Sequence, residues 1–480
     1  MNRATIFEEH SSVLPHWFAA GASRATVIYL DAHLDLQFVD ATRIAKLRDC
    51  TSTEQLQQLA SPHPLCPDRS ACYGIEDFLY PAACLGLIVR VIWVAPPHVL
   101  RVGMAMALSG LQQMEGVTLE ALESFHRTPG GWIEGHLWGL DLVICDLRQL
   151  PQLTLSAPLL IDIDTDYFVS VPDDTVWAQP SDVVAALQAL VGSTAEVTIA
   201  RSVGTGFLPL RHRFLADQLA ALWNGHCDDA AHWQGLLGQE LQLQAGQRDV
   251  ALAGLHAARM RRPACAASCY LLGLASADAG ARAQLLSEAA ALDPAYGDDL
   301  MRRLGEFRAR WKRYDLATVL RLQREVAAWQ APAGRHATAW VALGLLYTDF
   351  GLLDEALDCD AQSLRLSVGH PDLALALAKL QIARADFNAA SVLLERACQD
   401  DETRVAAWLH LAECHGARGA WGEALHFGRL ALQAAPAWPL ILKQLAVMAE
   451  AGGDFSQARS LQLQHATLVH RIHQLLLRLG

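Results

Sequence analysis

Basic residues are few in these 480 residues; Lys and Arg number 38 against 51 Asp and Glu, a formal charge of −13. That acidic balance disfavours nucleic acid and anionic membranes, so neither is expected as a partner. No uncharged apolar stretch approaches the roughly 20 residues that span a bilayer. The opening residues, 1–10, hold no continuous apolar segment of the kind a secretory leader needs, and a cytoplasmic location is expected. The 11 cysteines are scattered and odd in number. Only Cys265 and Cys269 stand close, as CxxxC in a segment that reads as helix, and no second pair follows to complete a zinc site. Reduced, structural thiols are expected. Charged residues are also scarce, at 19%, while hydrophobic ones reach 52%. Such a chain buries a great deal and is too long for one ordinary core, which implies two or three domains.

What is present falls into two periodicities. Up to about residue 235, short apolar runs alternate with helical patterns. Residues 25–30 (ATVIYL), 87–94 (LIVRVIWV), 142–145 (LVIC), 159–163 (LLIDI) and 197–200 (VTIA) read as strands. Their unbroken apolarity suits strands covered on both faces, as in a parallel sheet. Between them lie helical stretches such as residues 181–191, with Ser181 as a candidate N-cap. An α/β domain over residues 1–235 is expected. Beyond about 240 the strand signals stop.

There the sequence repeats. Ala356, Ala390, Ala424 and Ala458 recur every 34 residues, and Trp340 and Trp408 stand two periods apart. Trp340-x2-Leu343-Gly344-x2-Tyr347 matches the tetratricopeptide pattern. Small residues at two helix faces let paired helices pack closely, and each pair needs a neighbour to bury its remaining apolar face. An all-α tetratricopeptide solenoid is expected over residues 331–480, preceded by degenerate helical repeats over 236–330. Such arrays present concave grooves, so a peptide or protein partner is expected.

Asp31, His33 and Asp35 alternate just past a predicted strand, which places all three side chains on one side. Asp162, Asp164 and Asp166 do the same at another strand end. Open α/β sheets carry their sites at the carboxyl ends of strands. Carboxylates gathered there would repel one another unless divalent cations joined them. A set rich in carboxylate and imidazole, with no thiolate, favours manganese over structural zinc.

In order and type, Glu9-His10-Ser11, Asp31-Ala32-His33-Leu34-Asp35 and Asp162-Ile163-Asp164 resemble the arginase/ureohydrolase superfamily. Residues 9–15 (EHSSVLP), 73–82 (YGIEDFLYPA) and 198–202 (TIARS) look closer to an uncharacterised-protein family that includes peptide arginases. The resemblance implies a three-layer α/β arginase-like fold with a mostly parallel sheet. It implies two Mn2+ ions held by His10, Asp31, His33, Asp35, Asp162 and Asp164. The implied reaction converts peptidyl arginine to peptidyl ornithine and urea. Two features of classical arginases are missing: a His-Gly step, where Tyr73-Gly74 stands instead, and an Asn- and Ser-containing arginine loop. That moves the expected substrate from free arginine to a residue within a larger chain.

A cationic substrate needs anions beyond the metals. Glu76 and Asp166 are the candidate catalytic groups, and Asp77 and Arg201 the candidate substrate-binding ones. Glu76 could equally sit in the first turn of a helix, Asp166 could orient the ligands, and Arg201 could form an internal salt bridge to the acidic site. His63, His98, His126, His136 and His212 lack partner spacing and read as structural or surface residues. Two other functions fit the same residues: an amide-cleaving, deacetylase-like or agmatinase-like hydrolase, and a non-catalytic repeat scaffold.

Overall fold

The computed structural model describes residues 4–61, 63–66, 70–101, 104–170, 174–192 and 195–479. The apolar runs become strands. They are β1 (Ala4–Phe7), β2 (Ala25–Leu30), β3 (Ile88–Val94), β4 (His126–Arg127), β5 (Ile133–Leu137), β6 (Leu140–Cys145), β7 (Leu159–Asp164) and β8 (Val197–Ala200). All eight join one sheet in the order β1-β8-β7-β2-β3-β6-β5-β4. β1 pairs parallel with β8, β8 with β7, and β3 with β6, whereas β5 runs antiparallel to both β4 and β6. The sheet is therefore mixed and mostly parallel. Every position of β2 is buried, as its continuous apolar run requires.

β1, β4 and β5 carry no long apolar run. β5 holds Glu134, Gly135 and His136 between two buried ends, so the strand comes from pairing rather than from pattern. The helix Pro180–Val191 begins one residue earlier than read from sequence. Its N-cap is Gln179, not Ser181, because Pro180 fills the first helical position, where a missing N–H costs nothing.

By its contacts the chain divides into two compact units, each discontinuous in sequence. One comprises Met1–Val13, Ile28–Ala32 and Leu160–Arg310; the other comprises Leu14–Val27, His33–Leu159 and Trp311–Gly480. In the first, the helix Leu215–Asn224 packs against β1 and β8 and ends at Gly225, which takes the left-handed conformation a closing turn needs.

In the second unit the repeats appear as four helix pairs. They are α1 (Ala333–Asp349) with α2 (Leu353–Leu366), α3 (Pro371–Ala383) with α4 (Phe387–Ala397), α5 (Asp401–Ala417) with α6 (Trp421–Ala434), and α7 (Pro439–Ala451) with α8 (Phe455–Leu479). Ala356, Ala390, Ala424 and Ala458 each lie in the second helix of a pair and are at most 3% exposed. Gly344 of α1 faces the same seam: a Cβ there would meet Leu373 at 2.9 Å and the Cβ of Cys359 at 3.1 Å. The 34-residue phase is thus a packing phase. Within this unit the repeats also bond to the segment 40–127. Asp401 accepts the Asp40 amide at 2.8 Å, Arg404 pairs with Glu115 at 3.2 Å, and Arg471 donates to Glu123 at 2.8 Å.

Candidate metal centre

The first unit gathers its acidic and imidazole side chains at strand ends. β1 leads into a short turn, His10–Ser12, that buries His10. β2 ends immediately before Asp31; β7 carries Asp162 and Asp164 and leads into the turn Thr165–Phe168, which holds Asp166. His10, Asp31, Asp162, Asp164 and Asp166 are each no more than 3% exposed.

His10 is the hub. Its Nδ1 lies 3.3 Å from Asp31 Oδ2 and 3.1 Å from Asp164 Oδ2, while its Nε2 lies 2.6 Å from Asp162 Oδ2. The ligand-type atoms of His10, Asp31 and Asp164 all fall within 4.8 Å of one another. Strand alternation places Asp162 and Asp164 on one side, together as expected ligands. In the structure Asp162 faces the nitrogen of His10 opposite the one that faces Asp164.

Neighbouring side chains fix these carboxylates. Thr198 is the register partner of Asp162 across β8 and β7, and its hydroxyl donates to Asp162 Oδ1. Ser202 donates to Asp164 Oδ2 at 2.5 Å from a backbone at φ 47°, a costly conformation for a residue with a Cβ. Tyr29 donates to Asp31 and stacks on His10 with ring centroids 5.4 Å apart. The Ala32 amide donates to Asp166 at 3.2 Å. The orienting roles of Tyr29, Thr198 and Ser202 escaped the sequence reading. The only available signal was their position two residues before Asp31, opposite Asp162, and just past β8.

Charge is concentrated here. Burial and the Asp166 charge raise the Asp164 carboxyl, against hydrogen bonds from His10 and Ser202. Burial works against protonation of His10, but Asp162, Asp164 and Asp31 outweigh it and raise its pKa well above the usual range. Burial, with Asp164 and Glu8 beside it, lifts Glu9 to about 8. Buried carboxylates held this close, with an imidazole among them, fit the donor preferences of a hard or borderline divalent cation.

Asp35 is 9% exposed, and His33 is exposed. Arg201 is committed internally: its guanidinium donates to Asp217 at 2.7 and 2.9 Å and to the Arg213 carbonyl at 2.8 Å. Its ion pairs run to Asp217 and to Glu8 at 3.4 Å rather than to the acidic site expected of its salt bridge. Glu76 and Asp77 line a cavity in the second unit. Neither is in the first turn of the helix Leu79–Cys84, whose N-cap is Phe78. His212 is completely buried, and Cys265 lies 3.3 Å from the buried His232.

No protein-family model and no curated protein matches the chain. Solved structures similar to part of it include MamA, at 16% identity and TM-score 0.31, covering 37% of this chain and 98% of that one. YrrB, described as a TPR protein with an unusual peptide-binding site, is similar at 17% identity and TM-score 0.27, over 46% of this chain and 95% of that one. A tetratricopeptide repeat protein from Parabacteroides merdae is similar at 16% identity and TM-score 0.26, over 50% and 80%. The repeat architecture itself is read from the helix pairs and their phase.

Proposed function

We propose that the chain is a two-metal hydrolase of guanidino groups, releasing urea from an arginine side chain within a peptide and leaving ornithine. The observation that carries this reading is the convergence of His10, Asp31 and Asp164 on one buried point, with Asp166 accepting the amide of Ala32, the residue after Asp31. His10, Asp31 and Asp164 would hold one Mn2+, and Asp31 and Asp166, with His33 and Asp35 as the resemblance implies, the other, so Asp31 would be shared. Metal ions bound in such a pair act as Lewis acids and make water nucleophilic near neutral pH. In the overall change, water adds to the guanidinium carbon, the bond from that carbon to the side-chain nitrogen breaks, and that nitrogen takes up a proton.

The protein's own residues supply the positioning. Asp162 accepts from His10 Nε2, which keeps Nδ1 turned toward Asp31 and Asp164. Tyr29, Thr198 and Ser202 hold the carboxylates in place at no cost when substrate arrives. The repeats would bind the peptide that carries the arginine.

The test is metal analysis of the purified protein coupled to urea release from arginine-containing peptides. Two equivalents of manganese and urea release are expected. Asp31→Ala and Asp164→Ala should each lower urea release by roughly 100-fold or more. Asp162→Asn should keep the fold and weaken metal binding about 10–100-fold, as removal of an orienting group does. Two equivalents of metal with amine release from an acylated lysine, and no urea, would move the assignment to amide cleavage. A protein that turns over neither substrate would be a scaffold.

A further inference from the structure

The segment after β8, residues 201–207, meets the metal centre on one side and the helix Leu300–Ala309 on the other, all within the first unit. On the near side Ser202 donates to Asp164 Oδ2, the oxygen that faces His10 Nδ1. Gly204 lies against Glu9, the residue before His10. A Cβ at 204 would stand 2.2 Å from Glu9 Oε1 and push that carboxylate aside.

The far side is backbone against backbone. A Cβ on Gly206, at φ 86°, would meet the Glu306 nitrogen at 2.2 Å, and one on Gly305 would meet the Thr205 carbonyl oxygen at 2.0 Å. Two glycines let the loop and the helix touch with no side chain between them. Arg310 follows the helix and closes this contact. It is 6% exposed, and its Nη1 and Nη2 donate to the carbonyls of Gly206 and Phe207 at 3.0 and 3.1 Å. Its Nε donates to Asp174 Oδ1 at 2.7 Å, so the buried charge is paired. All three nitrogens of the planar fork are engaged, an arrangement that a single ammonium cannot reproduce.

The loop passes this grip inward. The amides of Gly206 and Leu208 donate to the carbonyls of Val203 and Ser202, each at 3.0 Å. These bonds tie residues 202–208 into one closed turn, so holding the carbonyls at 206 and 207 also holds Ser202. Ser202 needs holding. Its φ of 47° is strained for a residue with a Cβ and persists only where the surroundings enforce it. Relaxed to an ordinary φ, its hydroxyl would leave Asp164, and that carboxylate would lose the donor that fixes its direction.

We propose that Arg310 is a positioning residue of the metal centre. It grips the loop from outside, the loop keeps Ser202 in its left-handed conformation, and Ser202 aims Asp164 at the point shared with His10 and Asp31. The helix Leu300–Ala309 then serves this site, although it lies in a stretch whose sequence reads as degenerate repeat. The proposal rests on the two-metal reading above for the identity of the ion.

The test is Mn2+ titration of the full chain after metal removal with EDTA, read from the electron paramagnetic signal of the free ion. Thermal midpoints of the metal-free proteins are measured alongside. Ser202→Ala should weaken Mn2+ binding about tenfold or more, as loss of an orienting group does. Arg310→Met should weaken it about 5–10-fold. Arg310→Lys keeps a charge opposite Asp174 but cannot reach both carbonyls, and should fall between Arg310→Met and the parent. Gly305→Ala changes no charge and should act like Arg310→Met, because its methyl displaces Thr205. In the double variant, Arg310→Met with Ser202→Ala, Mn2+ should bind no more weakly than in Ser202→Ala alone, since both changes act along one path. Should Arg310→Met not fold, Arg310→Lys takes its place in this cycle. Losses that add would show Arg310 acting by another route and overturn the proposal. Unchanged Mn2+ affinity in Arg310→Lys and Gly305→Ala, with lowered thermal midpoints, would overturn it too, leaving Arg310 a purely structural residue. A parent chain that takes up no Mn2+ would instead remove the two-metal reading. Hydrogen exchange at the Gly206 and Leu208 amides then decides the grip itself. Exchange about tenfold faster in Arg310→Lys than in the parent would uphold it, and equal rates would overturn it.

Discussion

His212 is buried completely, with Arg211 and Arg310 as charged neighbours. Burial, reinforced by those two charges, lowers its imidazole from the ordinary 6.5 to about 3. The unfolded chain takes up a proton near 6.5 and the native chain does not until about 3, so native stability falls as pH drops through that window. The slope is one proton, about 1.4 kcal/mol per pH unit. Thermal midpoints measured from pH 7 down to pH 4.5 should therefore decline less steeply in His212→Asn than in the parent chain. Parallel declines would show that His212 is protonated in the native state. The metal-type residues were legible for a different reason. Alternation along a strand fixes which side chains share a face, and that placed Asp31, Asp162 and Asp164 at strand ends correctly. It could not separate Asp162 from Asp164, because residues two apart share that face equally. Only the position of His10, brought in from β1, assigns one carboxylate to each of its ring nitrogens.

At the scale of elements, the repeat period extends to the turns. Gly351, Gly419 and Gly453 close the helix pairs α1–α2, α5–α6 and α7–α8 at φ of 73°, 76° and 87°. The corresponding turn between α3 and α4 has Ala385, at φ 61°. A Cβ in the left-handed region costs on the order of 1 kcal/mol, partly offset by the freedom glycine adds to the unfolded chain. Ala385→Gly should therefore raise the thermal midpoint, with a gain of up to about 1 kcal/mol, and Gly419→Ala should lower it by a similar amount. A fall on Ala385→Gly would mean that the alanine methyl contributes packing worth more than the strain. The repeats were legible because a 34-residue phase is carried by small side chains whose burial repeats with it. β4 and β5 were not, because short strands paired at the edge of a sheet need no apolar run of their own.

At the scale of the whole second unit, what no local pattern could reveal is how residues hundreds of positions apart meet. The cavity beside Asp77 is also lined by Glu402, and periodicity on either side says nothing of the other. The same long-range docking leaves a measurable trace at Gly116. Its amide donates to the carbonyl of Ala434, the last residue of α6, at 2.8 Å. Gly116 lies just after the helix Met104–Gln113 and outside any strand, so its own surroundings give it little reason to resist exchange. Protection there must come from the repeats. Hydrogen exchange should find the Gly116 amide protected in the full chain and faster by roughly 100-fold in a chain ending at residue 330. The parallel pairing of β3 with β6, residues 90–94 against 141–145, supplies the internal control, since none of its partners lies in the repeats. Retained protection there, with loss at Gly116, would mean the repeats dock on a sheet that stands without them. Equal protection at Gly116 in both chains would mean this bond does not hold the repeats in place. Loss at both places would mean the sheet depends on the repeats for its stability, as the ion pairs from Arg404 to Glu115 and from Arg471 to Glu123 allow.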